Sequence, residues 1–191
     1  MRSLQDLKTV LGCELLMVSH GDSVWAWLGR SSPIKTADLR RILSRGGNTE
    51  GPLAFGEPGV GVEGWRLTHH QAREAWGVAI HLRERFTWYA DVLLLAAALR
   101  NNTLERSLTR KYLEPLRSQK DGGLALRKTL RAYIDAGCSA TSAESTAGVG
   151  RHTVADRVQK AEQLIGQSVR ACLSELDVAL CLEALDEYRA R

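Results

Sequence analysis

At 191 residues, 44% hydrophobic and 25% charged, the chain has the make-up of one large or two small folded domains, which excludes disorder over most of its length. The longest apolar run, residues 92–99, is far too short for a membrane span, and Asp6 and Lys8 break what would be the apolar part of a signal peptide, so a soluble, cytoplasmic protein is expected. A net charge of +4 is too small to identify a partner.

In chain order, Leu4, Leu7 and Leu11 predict a short helix. Residues 14–18 and 24–28 predict two strands joined by a hairpin turn at Gly21-Asp22-Ser23. Residues 36–43 restart a helix with Thr36 as its expected cap, and Gly46-Gly47-Asn48 ends it. A short strand over 52–56, a glycine-rich loop to Gly64, a long amphipathic helix over 63–83 and a last strand over 86–89 follow. From Asp91 onward only helices are expected: 91–101, 104–117, 123–136, 141–147, 151–165 and 174–189. The fold class is therefore α+β: a small mixed domain over 1–90 and an all-helical domain over 91–191.

Charge is unevenly spread. Residues 100–131 hold nine bases against three acids, and the stretch from Ser174 to the end is net acidic. A basic centre suits an anionic partner, or a solvated helical face.

Most of the chemistry-bearing patterns are weak. Cys13, Cys138, Cys172 and Cys181 form no close pair, and a helix would point His69 and His70 in different directions. Small buried thiols and surface imidazoles are expected, with no metal site and no cofactor. Residues 59–64 spell a literal G-x-G-x-x-G between a strand and a helix. A dinucleotide site needs its first glycine directly off the strand, whereas Gly56-Glu57-Pro58 intervenes and Glu57 would repel phosphate. A flexible strand-to-helix loop is the favoured reading, with nucleotide binding at Gly59–Gly64 the lesser one. No nucleophile elbow, P-loop lysine or zinc-protease motif occurs.

The informative stretch is 129–166. A helix ending at Gly137 is followed by Thr141-Ser142-Ala143-Glu144, a capping-box pattern that starts a second helix near Ser142. Gly148-Val149-Gly150 makes a short turn, and a third helix begins at Arg151. This is helix-turn-helix geometry. In the third helix Val154, Val158, Ala161 and Ile165 form an apolar stripe, and Thr153, Asp156, Arg157 and Lys160 form a polar face. Arg151 and His152 sit at the helix start, where recognition helices meet base edges and where the dipole favours phosphate.

These residues also resemble a known family. The run from Thr129 to Gly137, then Arg151-His152-Thr153-Val154 with Arg157, then Glu162 to Gly166, is similar to the C-terminal helix-turn-helix of the purine-catabolism and sugar-diacid regulators (PucR/CdaR type). Residues 53–64 with Ala72-Arg73-Glu74-Ala75 resemble that family's degenerate GGDEF-like domain, and residues 111–116 resemble the segment that precedes its final domain. The resemblance implies a bacterial transcription regulator that binds double-stranded DNA, as a homodimer and in response to an unknown effector. The family's N-terminal sensing domain has no counterpart here, as expected of a fragment or of a short protein. Gly46-Gly47-Asn48-Thr49-Glu50 is the nearest approach to G-G-D/E-E-F, and it lacks the metal-binding acid and the phenylalanine, so no enzyme activity is implied.

Four positions depart from the family pattern. Gly150 stands where His is frequent, Asp156 where Tyr is frequent, Glu144 where a buried Ala is usual, and Ala147 where Leu is usual. Asp156 places a negative charge on the face expected to meet phosphate. The sequence therefore predicts DNA binding through Arg151, His152, Thr153, Arg157 and Lys160, with phosphate attraction from the basic centre. The alternative is a dimerisation or interaction protein with a degenerate helix-turn-helix, using the leucines of the last helix.

Overall fold

A computed structural model describes residues 4–32, 34–45, 51–82, 84–119 and 121–189. The chain forms two compact units, Met1–Leu93 and Leu94–Arg191.

In the first unit, α1 (Leu4–Leu11) leads into the hairpin of β1 (Glu14–His20) and β2 (Ser23–Gly29). Gly21, with φ of +57°, is the first central residue of the two-residue turn, the place where a type II′ turn needs glycine. Pairing of Leu16 with Trp27 and Val18 with Trp25 puts these four on one face of the ribbon. Trp27 stacks on Trp65 at 5.1 Å between ring centroids, and His69 lies against both Trp25 and Trp27. The helix α2 (Thr36–Arg45) contributes Leu39 and Leu43 to a core shared with Leu7, Leu11, Cys13 and Trp88. The Lys35 carbonyl accepts the Leu39 N–H at 3.2 Å, so Lys35 holds the cap position and Thr36 is the first helical residue rather than the cap. The Gly46–Glu50 segment lies outside the described residues.

Two further strands, β3 (Leu53–Phe55) and β4 (Phe86–Trp88), pair in parallel across the long helix α3 (Gly61–Leu82). Parallel pairing requires a crossover, and α3 supplies it by burying Ala75, Val78 and Ala79 completely. Strand β4 ends one residue earlier than its sequence suggests, because Tyr89 opens the next helix.

The G-x-G-x-x-G straddles the start of α3, which begins at Gly61, and Glu57 just before it is tied to that helix. Thr68 Oγ1 donates to the Glu57 carbonyl at 2.6 Å, and Gln71 takes the Glu57 N–H at 2.8 Å while donating to its carboxylate at 3.1 Å. A Cβ on Gly59 would stand 2.5 Å from the Gly64 carbonyl oxygen, so these two glycines let the loop close on the first turn of α3. Their small size is used for packing within the chain.

Helix α4 (Tyr89–Leu99) runs into the second unit, which continues with α5 (Asn102–Leu108), a π-helical turn (Thr109–Leu113) and α6 (Glu114–Arg117). Asn101 caps α5 by accepting the Leu104 N–H at 3.1 Å. The π turn has a local cause. Pro115 lacks an N–H and its ring would press on the carbonyl four residues back, and the wider turn, with the Glu114 N–H bonded to Thr109, eases that conflict. Then follow α7 (Leu124–Asp135), α8 (Ala140–Ala147), α9 (Arg151–Ile165), a 3₁₀ turn (Val169–Cys172) and α10 (Leu173–Arg189). Among the described residues no helix is long and apolar enough to cross a membrane.

The leucines of α10 belong to this unit's own core. Leu176, Leu180, Leu182 and Leu185 are buried, and of those expected to offer a partner surface only Leu173 is exposed. The basic centre is also partly consumed inside the unit. Arg127 of α7 meets Glu183 of α10 at 2.6 Å, Arg117 reaches the same carboxylate at 3.3 Å, and Arg131 pairs with Asp135 and Asp177. Arg106, Arg110, Lys111 and Lys128 remain exposed.

Candidate nucleic-acid interface

Each turn between α7 and α9 is set by residues that satisfy the helix ends. Gly137 adopts φ of +64° just past α7, its N–H bonds to Ile134, and the Cys138 N–H bonds back to Tyr133 at 2.8 Å. This paired closure is the Schellman arrangement, and it carries Cys138 into the left-handed region as well, at φ of +60°. Ser139 then caps α8 by accepting the Ser142 N–H at 3.2 Å, so α8 begins at Ala140, ahead of the capping-box position at Ser142. Ala143 is fully buried where α8 packs against α7 and α9. Gly148, at φ of +65°, ends α8.

The first residue of α9 finds its acceptor outside the local sequence. Gly150 is the cap residue and has no side chain to offer. Glu144 Oε1 takes the Arg151 N–H at 2.6 Å instead. The residue read as closing a capping box on α8 therefore serves α9. Gly150 in the cap position was the available signal: a capless helix start calls for an acceptor from the neighbouring element.

Val154, Val158 and Ala161 bury their side chains and Ile165 is half-buried, so the apolar stripe of α9 packs inward as its spacing predicts. Arg151, His152, Thr153, Asp156 and Lys160 are all exposed along the remaining face. Arg157 is placed differently. It is half-buried and donates through Nη1 to Thr129 Oγ1 at 3.1 Å. Thr129 is itself buried and donates its hydroxyl proton to the Ala125 carbonyl at 2.8 Å. Arg157 thus ties α9 to α7 rather than standing free on the outer face.

The far end of α9 is fixed in the same manner. Gly166 closes the helix at φ of +82°, Glu162 Oε1 accepts the Val169 N–H at 2.9 Å, and Arg170 donates to the Cys138 carbonyl at 2.9 Å. Three helices are therefore locked together by their turns, leaving the start of α9 and its outer face to solvent. Asp156 shares that face with Lys160, which lowers its net positive charge. Among the described residues no group of three histidines, cysteines or carboxylates is arranged to hold a metal ion.

A family model described as the PucR C-terminal helix-turn-helix domain matches residues 126–184, from the first turn of α7 into α10. A second, described as a GGDEF-like domain, matches residues 2–78, from α1 through most of α3. No curated protein matches the chain.

Proposed function

Because the chain has the GGDEF-like and helix-turn-helix architecture of the PucR/CdaR-type regulators, we propose that it is a cytoplasmic bacterial transcription regulator that reads an operator with α9. The observation that carries this reading is the agreement of the matched helix-turn-helix with the exposed start of α9, where Arg151, His152 and Thr153 stand together. Recognition helices meet base edges with their first residues, and arginine is the side chain best suited to guanine. We assign Arg151 and His152 to base contact and Thr153 and Lys160 to phosphate or base. Arg157 acts through Thr129, as the residue that fixes the pitch of α9 on α7.

Exposed Arg106, Arg110, Lys111 and Lys128 add sequence-independent attraction to phosphate on this reading. The GGDEF-like unit serves as a regulatory or assembly domain, not as an enzyme, and the working form is a homodimer. Selection of bound duplexes from a random library tests the proposal and returns the operator. The expected result is an enriched motif whose binding weakens steeply with salt, by about one power of the salt concentration per phosphate contacted. Recovery of no motif, with no salt-dependent binding, overturns it.

A further inference from the structure

Glu144 does something at the start of α9 that neither the family resemblance nor the DNA reading assigns. Its carboxylate reaches from α8 across the turn and binds the Arg151 N–H at 2.6 Å. A Cβ on Gly150 would lie 4.0 Å from the same oxygen, an ordinary contact distance, so the carboxylate sits beside the cap position that glycine leaves without a side chain. Two forces favour an anion there: an N–H with no partner inside the helix, and the positive end of the helix dipole. Those same two forces draw DNA phosphate to a helix start. The end of α9 that Glu144 covers is the end carrying exposed Arg151, His152 and Thr153.

We propose that Glu144 is a positioning residue that also restrains affinity: it fixes the start of α9 and holds a negative charge where DNA phosphates approach. The proposal rests on the DNA-binding reading above. Its consequence is a lower charge-driven affinity. Binding to arbitrary duplex comes almost wholly from charge, so an anion at the interface weakens it. The departure from the family at 144 and the departure at 150 are then one change, in which a carboxylate from the previous helix replaces a side chain at the cap.

The experiment uses the full chain with a random-sequence duplex, over a salt series, alongside thermal unfolding without DNA. Glu144→Gln keeps an acceptor oxygen and removes the charge. It is expected to melt near the wild type and to bind roughly three- to tenfold more tightly at low salt, the gap closing as salt screens the charge. Glu144→Ala loses the acceptor and is expected to melt lower, and Gly150→Ser in that background restores melting by supplying a local cap. A purely structural role would move the melting temperature and leave the affinity of Glu144→Gln unchanged. Equal affinity of wild type and Glu144→Gln across the salt series overturns this proposal and leaves the DNA reading standing. Unchanged melting of Glu144→Ala overturns the capping role. Absence of duplex binding by every variant overturns the DNA reading, and this proposal with it.

Discussion

Thr129 is buried in α7 with its hydroxyl used twice, as donor to Ala125 and as acceptor from Arg157. The two partners are not equivalent when removed. Thr129→Val keeps the shape but leaves the half-buried guanidinium without its acceptor, a loss of about 1–2 kcal/mol. Arg157→Ala leaves the Thr129 hydroxyl still bonded to Ala125, so no buried donor is orphaned and the loss is expected to be the smaller of the two. Urea unfolding of both variants checks the order, and a double-mutant cycle should return a coupling of about 1 kcal/mol. DNA binding separates positioning from contact. If Arg157 acts through α7, both substitutions weaken binding together. Weakening by Arg157→Ala alone would return Arg157 to the DNA surface that its place in the sequence suggests.

Between elements, charged ties add to the apolar packing. Arg127 of α7 and Glu183 of α10 are only 13% and 14% exposed, and Arg117 shares the carboxylate from α6. Glu183→Ala leaves the nearly buried Arg127 guanidinium without its counter-ion, still donating to the Gly122 carbonyl, and is expected to cost about 3 kcal/mol. The combined change Arg127→Met with Glu183→Leu removes both charges at similar volume and should recover most of that loss; a double variant as unstable as the single one would show that the pair itself stabilises α7 against α10. The start of α7 carries a pH dependence of definite sign. Asp121 accepts the Ala125 N–H at 2.7 Å and the Gly123 N–H at 2.9 Å, and these bonds, the one from Ala125 foremost, hold its carboxyl below the ordinary value of 3.8. A lowered carboxylate favours the folded state above its unfolded value and loses that contribution as pH falls through the folded one. Asp177 has the opposite sign, because burial pushes its carboxyl up against the pull of Arg131. Acid titration of Asp121→Ala followed by circular dichroism should therefore show a shallower loss of stability below pH 3.8 than the wild type shows. The same elements mark what was legible beforehand. The bounds of α9 were readable because Gly150 and Gly166 flank an apolar stripe of helical period. The start of α8 was not, because Ser139 and Thr141 both offer cap patterns and the choice depends on Glu144 leaving for another helix. The π turn before Pro115 and the 3₁₀ turn at Val169–Cys172 are one turn long, and no periodicity reports a single turn. Inward placement of Arg157 depends on Thr129, twenty-eight residues away, and charge patterning on one helix does not reveal it.

At the scale of the whole molecule, the proposed DNA binding depends on whether two copies act together. One recognition helix spans only a few base pairs, and helix-turn-helix proteins lengthen the site by setting two such helices on half-sites roughly 34–36 Å apart. The spacing of the α10 leucines predicts a surface for a second copy, since a helix apolar on several sides must be covered. They are covered by their own unit: Leu176, Leu180, Leu182 and Leu185 are buried there. Truncating them to alanine should therefore lower folding stability, by about 2–5 kcal/mol for each fully buried leucine, whether or not the chain is paired. A dimer must use a surface other than these side chains. Sedimentation velocity over the micromolar range is expected to show a concentration-dependent dimer, and a duplex bearing two inverted half-sites is expected to bind two chains. A strictly monomeric species, both free and on DNA, would overturn the dimer and leave a single α9 to supply all base contacts. The selected operator would then be one short half-site, with a correspondingly shallow dependence of affinity on salt.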